Sequence, residues 1–478
     1  MSLYNISHEY CDADALLAED TSASSLEHDI FYKICPGQYK HLNGTDVKLG
    51  QPRCGDGSNF SFLVSRPPES KSSGRDKILI ELSGGGACWD ALTCLMQKMW
   101  LSYPQEWIGA VVGTSCTGWS MLGNTMLCGK TIGDTDFSEY HNVMIPYCTQ
   151  DVHMGDEPST NYGAMHVGGH NLYRTLQWVF DNFPDPSHIF ITGCSAGATP
   201  FPVVYDLINS HYSANGKDVT INGIADSPVF ITPSYFLKNG IQHWNVETIM
   251  SMIGFDFESF KNDESFPNAV IDYVLDRSKE TDSWGYVTHN ADAVSLLYYS
   301  FMSGGTIFGG DSGLGKRSKL GGIVPPRRRL NDDMQSQWWM QMNNSMSLAM
   351  NDHKNFHSLV IEGADHCTFS LNVPIQYNGF EEWASLIVQE SGGIEVTSNT
   401  TSNEESVSLS IESPLINSSI MASSPSVLGI SWNSTLESGL PGPPDVQANS
   451  AAHRHELTDS GLLLFLFMAT MRCIMYYR

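Results

Sequence analysis

Apolar and polar positions divide the chain into a repeating alternation of short apolar runs and longer amphipathic stretches. Lys77-Ile78-Leu79-Ile80-Glu81-Leu82, Asn142-Val143-Met144-Ile145-Pro146-Tyr147-Cys148, His188-Ile189-Phe190-Ile191-Thr192, Val219-Thr220-Ile221-Asn222-Gly223-Ile224-Ala225-Asp226-Ser227 (a strand and its end) and Phe356-His357-Ser358-Leu359-Val360-Ile361 read as buried strands. Between them, 172–183 places Leu172, Leu176, Val179 and Phe180 on one helical face. Further helices are expected at 201–210, 293–301, 331–353 and 380–389, and 229–285 reads as mostly helical. Strand, helix, strand in succession predicts parallel pairing with helical crossovers, hence an α/β fold with a central, mostly parallel sheet flanked by helices. The stretch 229–285 is expected to form a cap. Upstream, 31–64 carries cysteines, glycines and the alternating Asn59-Phe60-Ser61-Phe62-Leu63-Val64, as for an antiparallel hairpin region stapled by disulfides. Pro200 and Pro202 predict an irregular start to the helix at 201.

Two strand ends carry candidate chemistry. The strand at 188–192 runs into Gly193-Cys194-Ser195-Ala196-Gly197, the Gly-x-Ser-x-Gly pattern of a nucleophile elbow. The strand at 77–82 runs into Ser83-Gly84-Gly85-Gly86-Ala87-Cys88-Trp89-Asp90, whose glycines free backbone N–H groups to point into open space. Further along, Asp292 follows a short strand and His366 follows the last one. Serine, acid and histidine in this order suit a triad, because serine is a weak nucleophile until histidine takes its proton and the carboxylate fixes the imidazole tautomer. The N–H groups of Gly85, Gly86 and Ala196 are the candidate oxyanion donors. Asp226, also at a strand end, is the rival acid.

Composition narrows the classes. The 478 residues include 41% hydrophobic and 11% aromatic residues, enough for a large core, and the formal net charge is −26. That charge disfavours nucleic-acid binding and a polyanionic substrate. The basic runs at 316–319 and 327–329 read as solvated loops. Gly310-Asp311-Ser312-Gly313-Leu314-Gly315-Lys316 approaches a phosphate-binding loop, but Arg317 stands where Ser or Thr is needed and no strand precedes it. Eleven cysteines include no Cys-x-x-Cys, and the spacings of His153, His166 and His170 match no zinc pattern. Those histidines read as polar loop residues, and no metal or cofactor is expected. Local Cys88–Cys94 and Cys116–Cys128 bridges are plausible. Seven Asn-x-Ser/Thr sequons, with this many cysteines, favour an extracellular or cell-surface setting, although the first twenty residues do not read as a signal peptide.

Four regions are expected: a flexible segment at 1–30, an enzyme domain at 31–390, a disordered stalk at 391–460, and an apolar tail at 461–478. The stalk expectation rests on 20 Ser or Thr and no Lys or Arg among residues 391–450. The tail follows small residues and a polar spacer, as in a glycolipid-anchor signal, so membrane attachment there is an expectation.

Taken together, the Ser83–Asp90 motif with Cys94, the strand ending Ile145-Pro146-Tyr147-Cys148-Thr149-Gln150-Asp151-Val152, Gly193–Gly197, Asn290-Ala291-Asp292 and His366-Cys367 resemble the pectin acetylesterase/Notum family, over about residues 31–390. The resemblance implies an α/β-hydrolase fold and carboxylic-ester hydrolysis by Ser195, Asp292 and His366, with Gly85, Gly86 and Ala196 at the oxyanion hole. It makes Asp226 the family's other strand-end aspartate. It also implies an ester substrate, foremost an acetylated cell-wall or extracellular polysaccharide, with a lipid ester on a protein as the alternative, and a monomer is expected. Ala87 and Ala198 depart from the family pattern, where plant members carry Trp and Gly. A catalytically silent surface binding protein is the reading from a different class.

Overall fold

The computed structural model describes residues 6–7, 31–34, 51–71, 76–97, 131–229, 231–304, 332–368 and 379–389. The expectations for most of 1–30, for the 116–128 bridge, for the glycine-rich and basic segments at 310–329, and for the stalk and tail lie outside these residues.

Nine strands form one sheet in the order β1-β2-β3-β7-β4-β8-β9-β10-β11. They are β1 Ile6–Ser7, β2 Phe31–Ile34, β3 Phe62–Ser65, β4 Lys77–Leu82, β7 His141–Ile145, β8 His188–Cys194, β9 Thr220–Asp226, β10 Trp284–His289 and β11 Phe356–Ile361. A small hairpin, β5 Thr131–Ile132 with β6 Thr135–Asp136, stands apart. Within the nine-stranded sheet only the β2–β3 and β3–β7 pairs are antiparallel and the others are parallel. The elbow strand β8 is central, fully buried along seven residues between β4 and β9. This is the expected α/β architecture.

Alternation along the strands builds two cores. Ile78, Ile80, Leu82, Ile189, Ile191, Ile221, Trp284 and Tyr286 face one side, and Leu79, Phe190, Ile224 and Val287 the other. The period of two makes a parallel sheet apolar on both faces, so helices must cover each. The first face receives α2 Gly168–Asn182, α3 Phe201–Ala214, α7 Phe266–Leu275, α8 Ala293–Met302 and α9 Asp332–Asp352. The second receives α10 Phe380–Val388 through Phe380, Trp383, Ala384 and Ile387. The remaining helices are short: α1 Ala91–Met96, α4 Ser234–Phe236, α5 Glu247–Met252 and α6 Phe257–Phe260. A π turn at Leu237–Ile241 follows α4; helices and this turn make up about half of 229–285, less than expected, and β10 begins at Trp284.

Some boundaries differ from the sequence reading. Helix α2 starts at Gly168 rather than 172, because the Asp151 carboxylate, 17 residues upstream, accepts the Gly168 N–H. Helix α3 begins at Phe201 after a 3₁₀ turn at Ser195–Gly197. Its prolines cause no break, since Pro200 precedes the first turn and Pro202 lies within it, where no backbone N–H is needed. The antiparallel β2–β3 pair exists, but Cys54 reaches outside it to Cys148 beyond β7. The local Cys88–Cys94 bridge is present around α1.

Candidate active site

The loops leaving the carboxyl ends of β4, β7, β8, β9, β10 and β11 converge at one edge of the sheet, where open α/β sheets place their ligands. Ser195 stands at the end of β8 with φ +58°, a left-handed backbone for a residue with a side chain. Such geometry costs roughly 1–3 kcal/mol and persists only where the surroundings over-determine it. Here they do. A Cβ on Gly197 would collide with the Leu82 carbonyl and one on Gly84 with the Cys194 carbonyl. The elbow and the β4 loop are therefore pressed backbone to backbone, and a side chain at either glycine would part them.

His366 reaches the same place from the loop after β11. Its Nδ1–H donates to Asp292 Oδ2 at 2.7 Å. Its Nε2 is buried and makes no hydrogen bond among the described residues. Ser195 and His366 line one cavity. Asp292 is fully buried, and its other oxygen, Oδ1, accepts the N–H groups of Val294 (3.0 Å) and Ser295 (2.8 Å) at the start of α8. One carboxylate thus caps a helix and orients an imidazole.

The electrostatics follow. Burial pushes the Asp292 carboxyl up, but the facing His366 and the Ser295 N–H overcome it and hold it below the ordinary carboxylate value. Burial pushes His366 down, but Asp292, with a smaller contribution from Asp226, holds it above the ordinary imidazole value. Asp226 itself sits beside Ser227, whose hydroxyl donates to it at 3.2 Å and accepts the Cys367 N–H at 3.2 Å. Of the two candidate acids, the imidazole's hydrogen bond goes to Asp292.

A disulfide joins Cys194 to Cys367, the residue before Ser195 to the residue after His366. The pairing was not legible in sequence, where 173 residues separate the partners.

The candidate oxyanion residues divide. Gly86, at φ +81°, and Ala196 line the cavity. Gly85 does not, and its carbonyl accepts the Gln150 side-chain amide at 3.0 Å. Tyr298 of α8 lies over this loop. Its hydroxyl accepts Gln97 Nε2–H at 2.7 Å, and burial pushes the phenol up to about 12, so it stays protonated at neutral pH. Tyr298, Gln150 and Gly84 were not singled out in sequence as site residues. The run Tyr147–Val152 was noted there only as part of a resemblance.

Most of the remaining wall is apolar, with Thr199, Thr232 and Ser295 among its few polar side chains. Trp89, Met154, Val203, Phe236, Phe266 and Trp338 are among the walls, drawn from the β4 loop, the β7 loop, α3, the 229–285 segment and α9. Away from His366 no charged side chain among the described residues lines it.

His153 and His166 lie in loops as expected and His170 lies in α2, but all three are buried and hydrogen-bonded. His153 Nε2–H donates to the Ser83 carbonyl, His166 Nδ1–H to the Thr149 carbonyl, and His170 pairs with Asp156. Two sets of sulfur and imidazole atoms lie within ligand reach of one another, Cys88-Cys94-His166 and Cys194-His366-Cys367. In both, the sulfurs are engaged in disulfides and supply no thiolate to a metal.

Comparison with known proteins follows the same lines. The family model "PAE: Pectinacetylesterase" matches residues 45–269, a stretch that holds the glycine loop and the elbow but ends before Asp292 and His366. Three curated relatives are palmitoleoyl-protein carboxylesterases. NOTUM of Schmidtea mediterranea is 26% identical over 234 residues, covering 43% of this chain and 40% of the relative. The notum2 protein of Xenopus laevis is 20% identical over 264 residues, covering 50% and 52%. The notum1a protein of Danio rerio is 21% identical over 242 residues, covering 47% and 44%. The chain thus spans about half the length of these relatives. A solved structure of the Wnt deacylase Notum from Drosophila matches with a TM-score of 0.41 at 16% identity, covering 68% of this chain and 85% of that one. The resemblance read from the motifs is therefore supported: residues 45–269 match the pectinacetylesterase family model, and Notum carboxylesterases are among the proteins this chain is similar to.

Proposed function

We propose that the chain is a serine carboxylic-ester hydrolase in which Ser195 is the nucleophile, His366 the general base and acid, and Asp292 the orienting carboxylate. One observation carries the reading. His366 is tied through Nδ1 to Asp292 and presents an unpartnered Nε2 in the cavity that the strained Ser195 also lines. With its proton on Nδ1, the imidazole offers a lone pair at Nε2 to the serine hydroxyl.

The reaction runs in two halves. Ser195 Oγ bonds to the ester carbonyl carbon as its proton passes to His366 Nε2. The carbonyl oxygen becomes an oxyanion facing the Gly86 and Ala196 N–H groups, with Gly85 shaping the turn. The carbon–oxygen bond to the alcohol breaks as His366 returns the proton to the leaving oxygen. Water then attacks the acyl-Ser195 with His366 again as base, releasing the acid and restoring the serine. Each well-placed oxyanion donor contributes about 3–4 kcal/mol to the transition state.

The apolar walls favour a substrate with an extended hydrocarbon acyl chain over an acetyl group. This supports the lipid-ester alternative, as in the relatives' palmitoleoyl-protein names, above acetylated polysaccharide. The net charge of −26 also weighs against polygalacturonate. The three disulfides among the described residues support an extracellular or cell-surface setting. No helix among the described residues is long and apolar enough to cross a membrane, and anchoring through 461–478 remains a proposal.

The test is hydrolysis of p-nitrophenyl acetate, butyrate and octanoate by the full chain and by its Ser195→Ala variant. Turnover lost in Ser195→Ala supports the esterase. A folded wild-type chain inert to all three esters would move the reading to the silent binding protein.

A further inference from the structure

We propose that Gln150 and His153 are positioning residues that hold the glycine loop at 83–88 in oxyanion-binding shape, a role that rests on the esterase reading above. Three hydrogen bonds join the β7 loop to this loop. Gln150 Nε2–H donates to the Gly85 carbonyl at 3.0 Å, the Cys88 N–H donates to the Gln150 carbonyl at 2.9 Å, and His153 Nε2–H donates to the Ser83 carbonyl at 2.9 Å. Both side chains are buried, Gln150 at 0% and His153 at 1% exposure.

The first of these bonds has a consequence for the chemistry. The Gly85 carbonyl and the Gly86 N–H belong to one peptide unit. A donor on that carbonyl fixes the plane of the peptide and polarises it, so the Gly86 N–H becomes a better-aimed and stronger donor. Gly86 is the member of the loop that lines the cavity. Gln150 therefore acts on the oxyanion without touching it.

The β7 loop is built to hold this geometry. Gln150, Val152 and His153 all adopt left-handed backbone, at φ +58°, +50° and +60°. Such strain is kept by Asp151, whose carboxylate accepts from Thr149 Oγ1 and from the Gly168 N–H, each at 2.6 Å. Tyr147 Oη accepts the Val152 N–H at 2.8 Å, and the His166 imidazole donates to the Thr149 carbonyl at 2.8 Å. Three strained residues within four, all buried and pinned, mark a segment kept for position rather than for packing. Burial pushes the His153 imidazole below its ordinary value, so it stays neutral and keeps its Nε2 proton on the Ser83 carbonyl through the neutral range.

The experiment compares the wild-type full chain, Ser195→Ala, Gln150→Asn and Gln150→Gly on p-nitrophenyl octanoate, with thermal unfolding in parallel. Asparagine and glycine both accept left-handed backbone, and neither brings an amide to the Gly85 carbonyl. The expected result is a kcat lower by about 10- to 100-fold in both variants, with KM within threefold, since a lost oxyanion donor costs about 100- to 1,000-fold and a misaimed one less. Inhibition by octylboronic acid, which forms a tetrahedral adduct on the serine, should weaken by a similar factor, while inhibition by octanol should not change. His153→Gln, which retains a donor, should keep more kcat than His153→Leu. Equal losses against the boronate and octanol, or kcat within twofold of wild type in both Gln150 variants, would overturn the positioning role. Wild-type turnover abolished by Ser195→Ala shows that the reading itself stands in either case. A wild-type chain without turnover removes the reading and this inference together.

Discussion

Cys194 and Cys367 are bonded to each other, so the residues adjoining Ser195 and His366 share a covalent link across the carboxyl edge of the sheet. The bridge closes a loop of 173 residues, for which chain entropy alone gives about 5 kcal/mol of stabilisation. Its placement predicts a larger effect on turnover. A Cys194→Ala/Cys367→Ala chain assayed well below its unfolding temperature should show kcat reduced more than tenfold. Unchanged kcat in the folded variant would make the bridge a stability device alone.

Asp292 carries two separable duties. Asp292→Asn keeps an oxygen for the Val294 and Ser295 N–H groups but presents the wrong partner to His366 Nδ1. Turnover should fall by about 10,000-fold with little change in unfolding temperature. Asp292→Ala should add the loss of a helix cap, about 1 kcal/mol, visible as a lower unfolding temperature. Matched activity in wild type and Asp292→Asn would remove Asp292 from the machinery.

The pair also sets a pH window. In the proposed mechanism His366 must be neutral to take the serine proton, and the facing Asp292 holds it above the ordinary imidazole value. The kcat/KM profile should therefore rise with pH through a midpoint above that of a free imidazole, and Asp292→Asn should move that midpoint down. The stability from the raised His366 is complete below its unfolded value and is lost as pH rises through the folded one. That from the lowered Asp292 is present above its unfolded value and is lost as pH falls through the folded one. The ion pair therefore adds most between the two unfolded values, and the stability gap between wild type and Asp292→Asn should be widest there.

The cavity's walls give a chain-length prediction. Each buried methylene contributes up to about 0.8 kcal/mol, so kcat/KM should rise about two- to fourfold per methylene from acetate to octanoate. Val203→Trp, which places bulk in the apolar part of the cavity, should cut octanoate turnover while sparing acetate. Acetate as the best substrate would favour the acetylated-polysaccharide reading.

The contact between the elbow and the glycine loop can be tested sterically. Gly197→Ala drives a methyl group into the Leu82 carbonyl, and backbone on both sides must move. Destabilisation of about 1–3 kcal/mol, with loss of turnover, is expected by thermal unfolding and ester assay.

Much of this edge could be read from the chain. Strand composition placed β4, β8, β9 and β11, and the glycines around Ser195 marked the elbow, because local sequence and local geometry agree there. Strand ends offered Ser195, His366 and either Asp292 or Asp226 as the acid, and the choice of Asp292 came from the resemblance. What stayed hidden depends on contacts between distant segments. Gln150 and His153 look like ordinary loop residues until the fold sets them under Ser83 and Gly85. The left-handed Gln150, Ser227 and Cys367 carry no glycine to announce them. The start of α2 depends on Asp151, and Cys54 and Cys194 find partners only through the sheet. Trp338 reaches the cavity from α9, whose Met and Trp content in sequence suits core or cap packing.

An activated Ser195 must react with an electrophile aimed at nucleophilic serines. Reaction of the full chain with a long-chain fluorophosphonate, followed by peptide mass spectrometry, measures that. The expected result is one adduct on the Ser195 peptide, formed slowly or not at all in His366→Ala and absent in Ser195→Ala. Ester turnover with the adduct on another residue, or a folded chain left unlabelled, would contradict it.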